Sequence, residues 1–185
     1  MRDCIFIHIE KTGGTSIEKA LGLAPQQHYL IREIPPQEKE GKFKFAFVRN
    51  PWDKVVSQYH FRIFASQTMN KAVHPDFNDW VVGAYSYKSK RWIDYPIMFE
   101  PCKYWITEED GSIGVDFIGR FERLTEDWKV VQRNIGGVAE LTHQNKSGRV
   151  KDYRTYYNDR TAEIISHHFK DDIEMFGYKF DDYEM

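Results

Sequence analysis

Cys4-Ile5-Phe6-Ile7-His8-Ile9, followed by Glu10-Lys11-Thr12-Gly13-Gly14-Thr15-Ser16, decides how the chain is read. The first stretch is short, β-branched and nearly all apolar, which predicts a strand of a parallel sheet buried on both faces. A helical pattern through Ile17, Ala20 and Leu21 comes after the polar loop, and Gly22 supplies its stop. The unit is strand, glycine loop, helix. Two adjacent glycines let successive backbone N–H groups point into one concavity, and the helix that follows adds the positive end of its dipole. Lys11 brings a point charge, while Thr12, Thr15 and Ser16 bring hydroxyl donors. Such a loop suits a phosphate or sulfate group. It is not a Walker A loop, because Lys11 precedes both glycines and the first glycine of that pattern is missing.

Further along, Phe43-Lys44-Phe45-Ala46-Phe47-Val48-Arg49 predicts a second strand. Asn50 as cap and Pro51 at the first helical position then open a helix. Its core face is Trp52, Val55, Val56, Tyr59 and Ile63. Arg49 falls at the carboxyl end of its strand, where α/β sheets place ligands. Ser57 lies about two helical turns on, roughly 9 Å from Pro51 along the axis, so a long Arg and this Ser are within reach of one anion. An Arg49–Asp53 pair with a solvated Ser57 is the plainer alternative. Two anion seats at the ends of two adjacent strands suggest a ligand with two separated phosphates.

The segment between the first helix and the second strand reads as loop with one short helix, and residues 66–112 as irregular with a short helix near Phe77–Tyr85. A third strand is expected at Val115–Gly119, a helix at Thr125–Asn134, and one long C-terminal helix from Asp159 to Phe176. Strands alternating with helices give an α/β class, a parallel β-sheet flanked by helices. A length of 185 residues leaves room for one domain of ordinary size, here residues 1–185.

Composition narrows the function classes. With 26 Lys and Arg against 28 Asp and Glu, the formal charge is −2, so the chain has no global field for nucleic acid and any polyanion site is local. The 41% hydrophobic and 29% charged residues argue for a folded globular chain. Cys4 and Cys102 form neither a disulfide framework nor a zinc pair. No apolar run reaches the ~20 residues of a membrane span, and charges at Arg2, Asp3 and Glu10 argue against a signal peptide. A soluble cytoplasmic protein is expected. Oligomeric state is not legible.

His8-Ile9-Glu10-Lys11-Thr12-Gly13-Gly14-Thr15-Ser16 resembles the 5′-phosphosulfate loop of sulfotransferases, and Phe47-Val48-Arg49-Asn50-Pro51-Trp52 through Ser57-Gln58-Tyr59 resembles their 3′-phosphate motif. The similarity is to the carbohydrate branch that includes heparan sulfate 2-O- and chondroitin sulfotransferases, and to bacterial relatives. It continues through Asp116–Glu122, His143–Ser147 and Asp171–Tyr178. The resemblance implies a P-loop-like fold and 3′-phosphoadenosine-5′-phosphosulfate (PAPS) as sulfuryl donor, with PAP as product. By the same carry-over Lys11, Thr12, Gly13, Gly14, Thr15 and Ser16 surround the 5′-phosphosulfate, Arg49 and Ser57 the 3′-phosphate, and Asn145, Ser147 and Arg149 a segment closing over the donor. Two positions depart from the pattern: Glu10 stands where the family usually has Pro, and Lys103 where a Gln is expected.

In-line transfer to an alcohol then needs charge stabilisation, for which Lys11 is placed, and a base titrating near neutrality. No metal is required, since Lys11 and Arg49 offset much of the charge. Of the seven histidines, His28 matches the catalytic histidine of the 2-O-type branch. His143 is the runner-up, followed by Glu18 and Glu33. His8 is expected to brace the loop or core, and His167 and His168 to lie at the surface. The acceptor is expected to be a hydroxyl of a carbohydrate or small glycosylated compound. Lys88, Lys90 and Arg91 beside Tyr85, Tyr87 and Trp92 form either a contact for an anionic glycan or an ordinary solvated face. A P-loop kinase and a non-catalytic nucleotide-binding domain are the competing classes.

Overall fold

The computed structural model describes residues 4–24, 28–68, 75–93, 95–136, 139–141 and 149–182. Along the chain these form β1 (Cys4–Ile7), α1 (Gly14–Leu21), α2 (Pro36–Lys39), β2 (Phe43–Val48), α3 (Pro51–Thr68), α4 (Phe77–Val81), α5 (Cys102–Ile106), β3 (Phe117–Arg120), α6 (Leu124–Ile135), α7 (Asp159–His168) and α8 (Lys170–Phe176). The contacts group into two compact units, Met1–Arg49 with Cys102–Lys146, and Asn50–Pro101 with Ser147–Met185.

The first unit holds a parallel sheet in the order β1-β2-β3, with Ile7 beside Ala46 and Ala46 beside Ile118. The α/β class with a parallel sheet flanked by helices is thus observed. Central β2 is covered on both faces, and Phe45, Ala46 and Phe47 are fully buried, which is why its sequence is a near-continuous apolar run. Ile17 and Leu21 of α1, and Trp128 and Val131 of α6, close over Phe45 and Phe47. Each of these buried phenylalanines contributes roughly 1.5–3 kcal/mol through area removed from water. Gly22 ends α1 with its N–H on the Lys19 carbonyl at 3.0 Å, and Leu23 donates to Glu18 at 2.8 Å, a Schellman-type stop.

The second unit is helical, and its core takes the expected face of α3. Trp52, Val55, Val56 and Tyr59 pack with Phe77, Trp80, Tyr85, Phe99, Tyr153, Ile165 and Phe169. The aromatic middle of the sequence is therefore largely core. Asn50 caps α3 as predicted, its Oδ1 accepting from the Trp52 N–H at 3.1 Å. Two polar residues of α3 are also buried. Lys54 gives Nζ to the Glu100 carbonyl at 3.0 Å, and Gln58 donates to Met98 at 2.9 Å while accepting from the Tyr85 hydroxyl.

Two expectations need correction. The single C-terminal helix is two helices, α7 and α8, broken at Phe169 with φ −100° and ψ 24°. Phe169 is fully buried there, and core burial outranks the continuous helical pattern. The third strand starts later than predicted, at Phe117, because Asp116 spends its N–H on the Lys44 carbonyl before the ladder begins.

Candidate functional site

In the first unit β1 leaves the ladder after Ile7. His8 and Ile9 stay buried, and Glu10 to Gly13 form a turn before α1 begins at Gly14. Lys11 holds a left-handed φ of 63° and Gly13 one of 90°. For a lysine that conformation costs on the order of 1–2 kcal/mol, so the surroundings must impose it. Two hydrogen bonds do so. Thr12, fully buried, donates its hydroxyl to the Ile9 carbonyl at 2.9 Å, and Arg49 Nη1 donates to the Lys11 carbonyl at 2.8 Å.

Arg49 follows directly on β2 and is 4% exposed, its guanidinium 3.9 Å over the Phe121 ring. Parallel pairing of β1 with β2 is what carries it to the turn. The N-terminal end of α1 therefore meets Lys11 and Arg49 at the carboxyl ends of neighbouring strands, where helix amides and two cations favour an anion. Thr15 is exposed at this end and Ser16 is buried, its N–H on the Gly13 carbonyl at 3.1 Å. Thr12's hydroxyl closes the turn, a structural use the sequence did not reveal.

Behind the turn lies His8, 5% exposed. Its ring occupies the space a side chain on Gly14 would need: a Cβ there would fall 2.0 Å from the imidazole. Nδ1 of His8 meets Glu18 Oε1 of α1 at 2.6 Å, and both side chains are almost fully buried. Burial is the leading influence on His8 and lowers its pKa, with neighbouring His28 acting the same way and the Glu18 carboxylate opposing. Burial thus favours the neutral ring of His8, with its Nδ1–H on the Glu18 carboxylate. The expected bracing role is observed; the partner ten residues away was not foreseen.

His28 stands beside it. Its Nδ1 lies 2.8 Å from the His8 carbonyl oxygen, and the two rings are 4.3 Å apart. A carbonyl only accepts, so Nδ1 carries the proton and, in the neutral ring, Nε2 carries the lone pair. The edge of Trp105 lies 6.1 Å away between ring centres, and its buried indole N–H has no acceptor among the described residues.

Other candidates fall in the second unit. Ser57 is half-buried on α3. Asp53 forms its ion pair with Arg149, Nη2 to Oδ1 at 2.6 Å, while Arg149 Nη1 is buried without an acceptor among the described residues. Asn145, Ser147 and His143 lie outside the described residues. Glu33 caps a short turn by accepting from the Leu30 N–H at 2.9 Å. His60 is bonded to the Tyr156 hydroxyl at 2.9 Å. His168 corrects the surface expectation: it is half-buried, donates from Nε2 to the Phe99 carbonyl at 2.8 Å and packs on Tyr85. Arg91 folds over Trp92 at 4.5 Å, and Lys88 and Tyr87 are exposed.

A parallel sheet whose strand–turn–helix corner brings Lys11 and Arg49 together is suited to an anion. Residues 3–179 match the model of the sulfotransferase family, to which the chain belongs. It is 30% identical over 115 residues to an uncharacterised protein of Archaeoglobus fulgidus, spanning 62% of this chain and 85% of that one. No solved structure matches it. Among the described residues no helix is long and apolar enough to cross a membrane.

Proposed function

We propose that the chain transfers the sulfuryl group of PAPS to a hydroxyl of a carbohydrate or small glycosylated acceptor, with His28 as general base. What carries this reading is the meeting of the Lys11 turn, the start of α1, Arg49 and the Nδ1-protonated His28 at one end of the first unit's sheet. The side chains fit such a donor. Lys11 and Arg49 are cations at the turn of the first unit. Lys11, Gly13, Gly14, Thr15 and Ser16 are assigned to the 5′-phosphosulfate and Arg49 to the 3′-phosphate, while Thr12, whose hydroxyl is on the Ile9 carbonyl, offers only its backbone. Ser57, Asn145, Ser147 and Arg149 are assigned to the donor from the motifs alone.

Bound PAPS supplies an activated sulfuryl group on a phosphate leaving group. Nε2 of His28 takes the proton of the acceptor hydroxyl as its oxygen bonds to sulfur. Lys11 and the amides opening α1 take up the charge that develops on the departing phosphate oxygen as its bond to sulfur breaks. Positioning of donor and acceptor, with charge stabilisation by Lys11 and the amides opening α1, accounts for the step.

Thermal unfolding with PAP, 5′-ADP, or ATP plus magnesium, followed by sulfate transfer from PAPS to a panel of sugars, tests the reading. A ligand at ~100 times its dissociation constant stabilises by about 2.7 kcal/mol, a shift of several degrees for a chain of this size. PAP is expected to stabilise and His28→Ala to slow transfer by about a hundredfold or more. Stabilisation by ATP equal to that by PAP points instead to a kinase, and PAP binding with no transfer to any acceptor points to a non-catalytic domain.

A further inference from the structure

We infer that Glu18 and His8 are positioning residues for His28, a buried couple that holds its ring at the end of β1 with Nε2 left as the basic nitrogen. This rests on His28 being the base. His8 is attached in three directions. Its Nδ1 meets the Glu18 carboxylate at 2.6 Å, its ring fills the space over Gly14, and its carbonyl accepts the Nδ1–H of His28 at 2.8 Å. Glu18 belongs to α1, the helix whose first residues carry the turn, so one couple ties the strand end, the helix and the His28 ring together.

Sequence position alone makes the couple unusual. A glutamate one turn into a helix is ordinarily a solvated residue, yet Glu18 is 3% exposed and its carboxylate is directed at an imidazole. A buried carboxylate needs a donor, and His8 supplies one only while its own ring stays in this orientation. That orientation sets the surface against which the His28 ring rests, 4.3 Å between centres. Glu18 and His8 touch no acceptor or donor in this scheme. They act through His28, as an outer carboxylate orients a ligating or catalytic imidazole elsewhere.

A double-variant cycle separates this from a merely structural role. Glu18→Ala, Glu18→Gln and His8→Asn are each measured alone and with His28→Ala in PAPS-dependent transfer. The ring 15N shifts of His28 are recorded in the same proteins. In the wild type, His28 is expected to carry its proton on Nδ1. Glu18→Ala is expected to lower kcat by roughly tenfold or more through misplacement of the base, with a smaller change in KM for PAPS. Glu18→Gln, whose amide oxygen still accepts, recovers most of that loss. Adding His28→Ala to any of the three is expected to give no further loss beyond His28→Ala alone. Losses that multiply with that of His28→Ala, or a wild-type His28 protonated on Nε2, overturn the inference. Where Glu18→Ala fails to fold, Glu18→Gln and His8→Asn complete the cycle. If His28→Ala leaves transfer intact, the base assignment has failed on its own account, and the inference falls with it even where the ring shifts still report Nδ1–H.

Discussion

Arg49 Nη1 donates to the backbone carbonyl of Lys11 at 2.8 Å, so the cation that ends one strand holds the left-handed turn that follows its neighbour. The same guanidinium lies over Phe121. One side chain therefore links both neighbouring strand ends to the turn following β3.

Replacing it removes a buried charged hydrogen bond. Arg49→Ala is expected to lower stability by roughly 1.5–3 kcal/mol and to abolish the thermal shift given by PAP. Arg49→Lys, which keeps the charge but loses the planar stack and fork, is expected to recover less than half of that shift. Full PAP stabilisation in Arg49→Ala counts against the anion seat.

Among the described glycines, Gly14 is the one where an added Cβ would meet the closest neighbour. A Cβ would fall 2.0 Å from the His8 ring, which is itself wedged against buried Glu18 and cannot retreat freely. Gly14→Ala is expected to destabilise by at least the 1–3 kcal/mol of ordinary overpacking, read from urea unfolding. Gly41, which meets nothing within 4 Å at its Cβ position, serves as control: Gly41→Asn is expected to change little.

Among the described residues, His8, His60 and His168 have lowered pKa values, with burial the leading cause in each. A depressed folded pKa means that the unfolded chain binds protons more readily, so stability rises with pH across this range. The contribution is full above the ordinary imidazole value of about 6.5. It is lost as pH falls from there through the folded values. The melting temperature is expected to drop between pH 7 and pH 5, and His168→Gln to flatten part of that slope. A melting temperature independent of pH over this interval would exclude the assignment.

Phe169 breaks the C-terminal helical run because its ring is in the core of the second unit. Phe169→Ala is expected to cost about 3–5 kcal/mol, measured by denaturant unfolding. A loss below 1 kcal/mol would mean that the break has another cause.

Local pattern made much of the fold legible. The apolar run Phe45–Val48, the Asn50-Pro51 opening and the Gly22 stop each express short-range rules, and all three sit where those rules put them. The turn into α1 was legible too, because the glycine pair, Lys11 and the following helix are contiguous. What could not be read were pairings across many residues: Glu18 on His8, the Arg49 guanidinium on the Lys11 carbonyl, Lys54 on Glu100, Arg149 on Asp53. Nor does residue type reveal a polar residue's burial, and so nothing in the sequence shows that His168 is half-buried and that Glu18 is almost fully buried.

By itself, the order of residues determined the alternation of strand and helix, the parallel sheet, the glycine turn into α1 and the family to which the chain belongs. These depend on periodicity and on glycine and proline placement, which act within a few residues. Tertiary structure alone decided that His28 is pinned through Nδ1 by the carbonyl of His8, and that Thr12 closes the turn with its hydroxyl. It also decided that a buried glutamate stands behind the loop. Hydrogen-bond geometry and desolvation depend on which distant groups the folded chain brings within 3 Å, and that is set only when the sheet and its helices close.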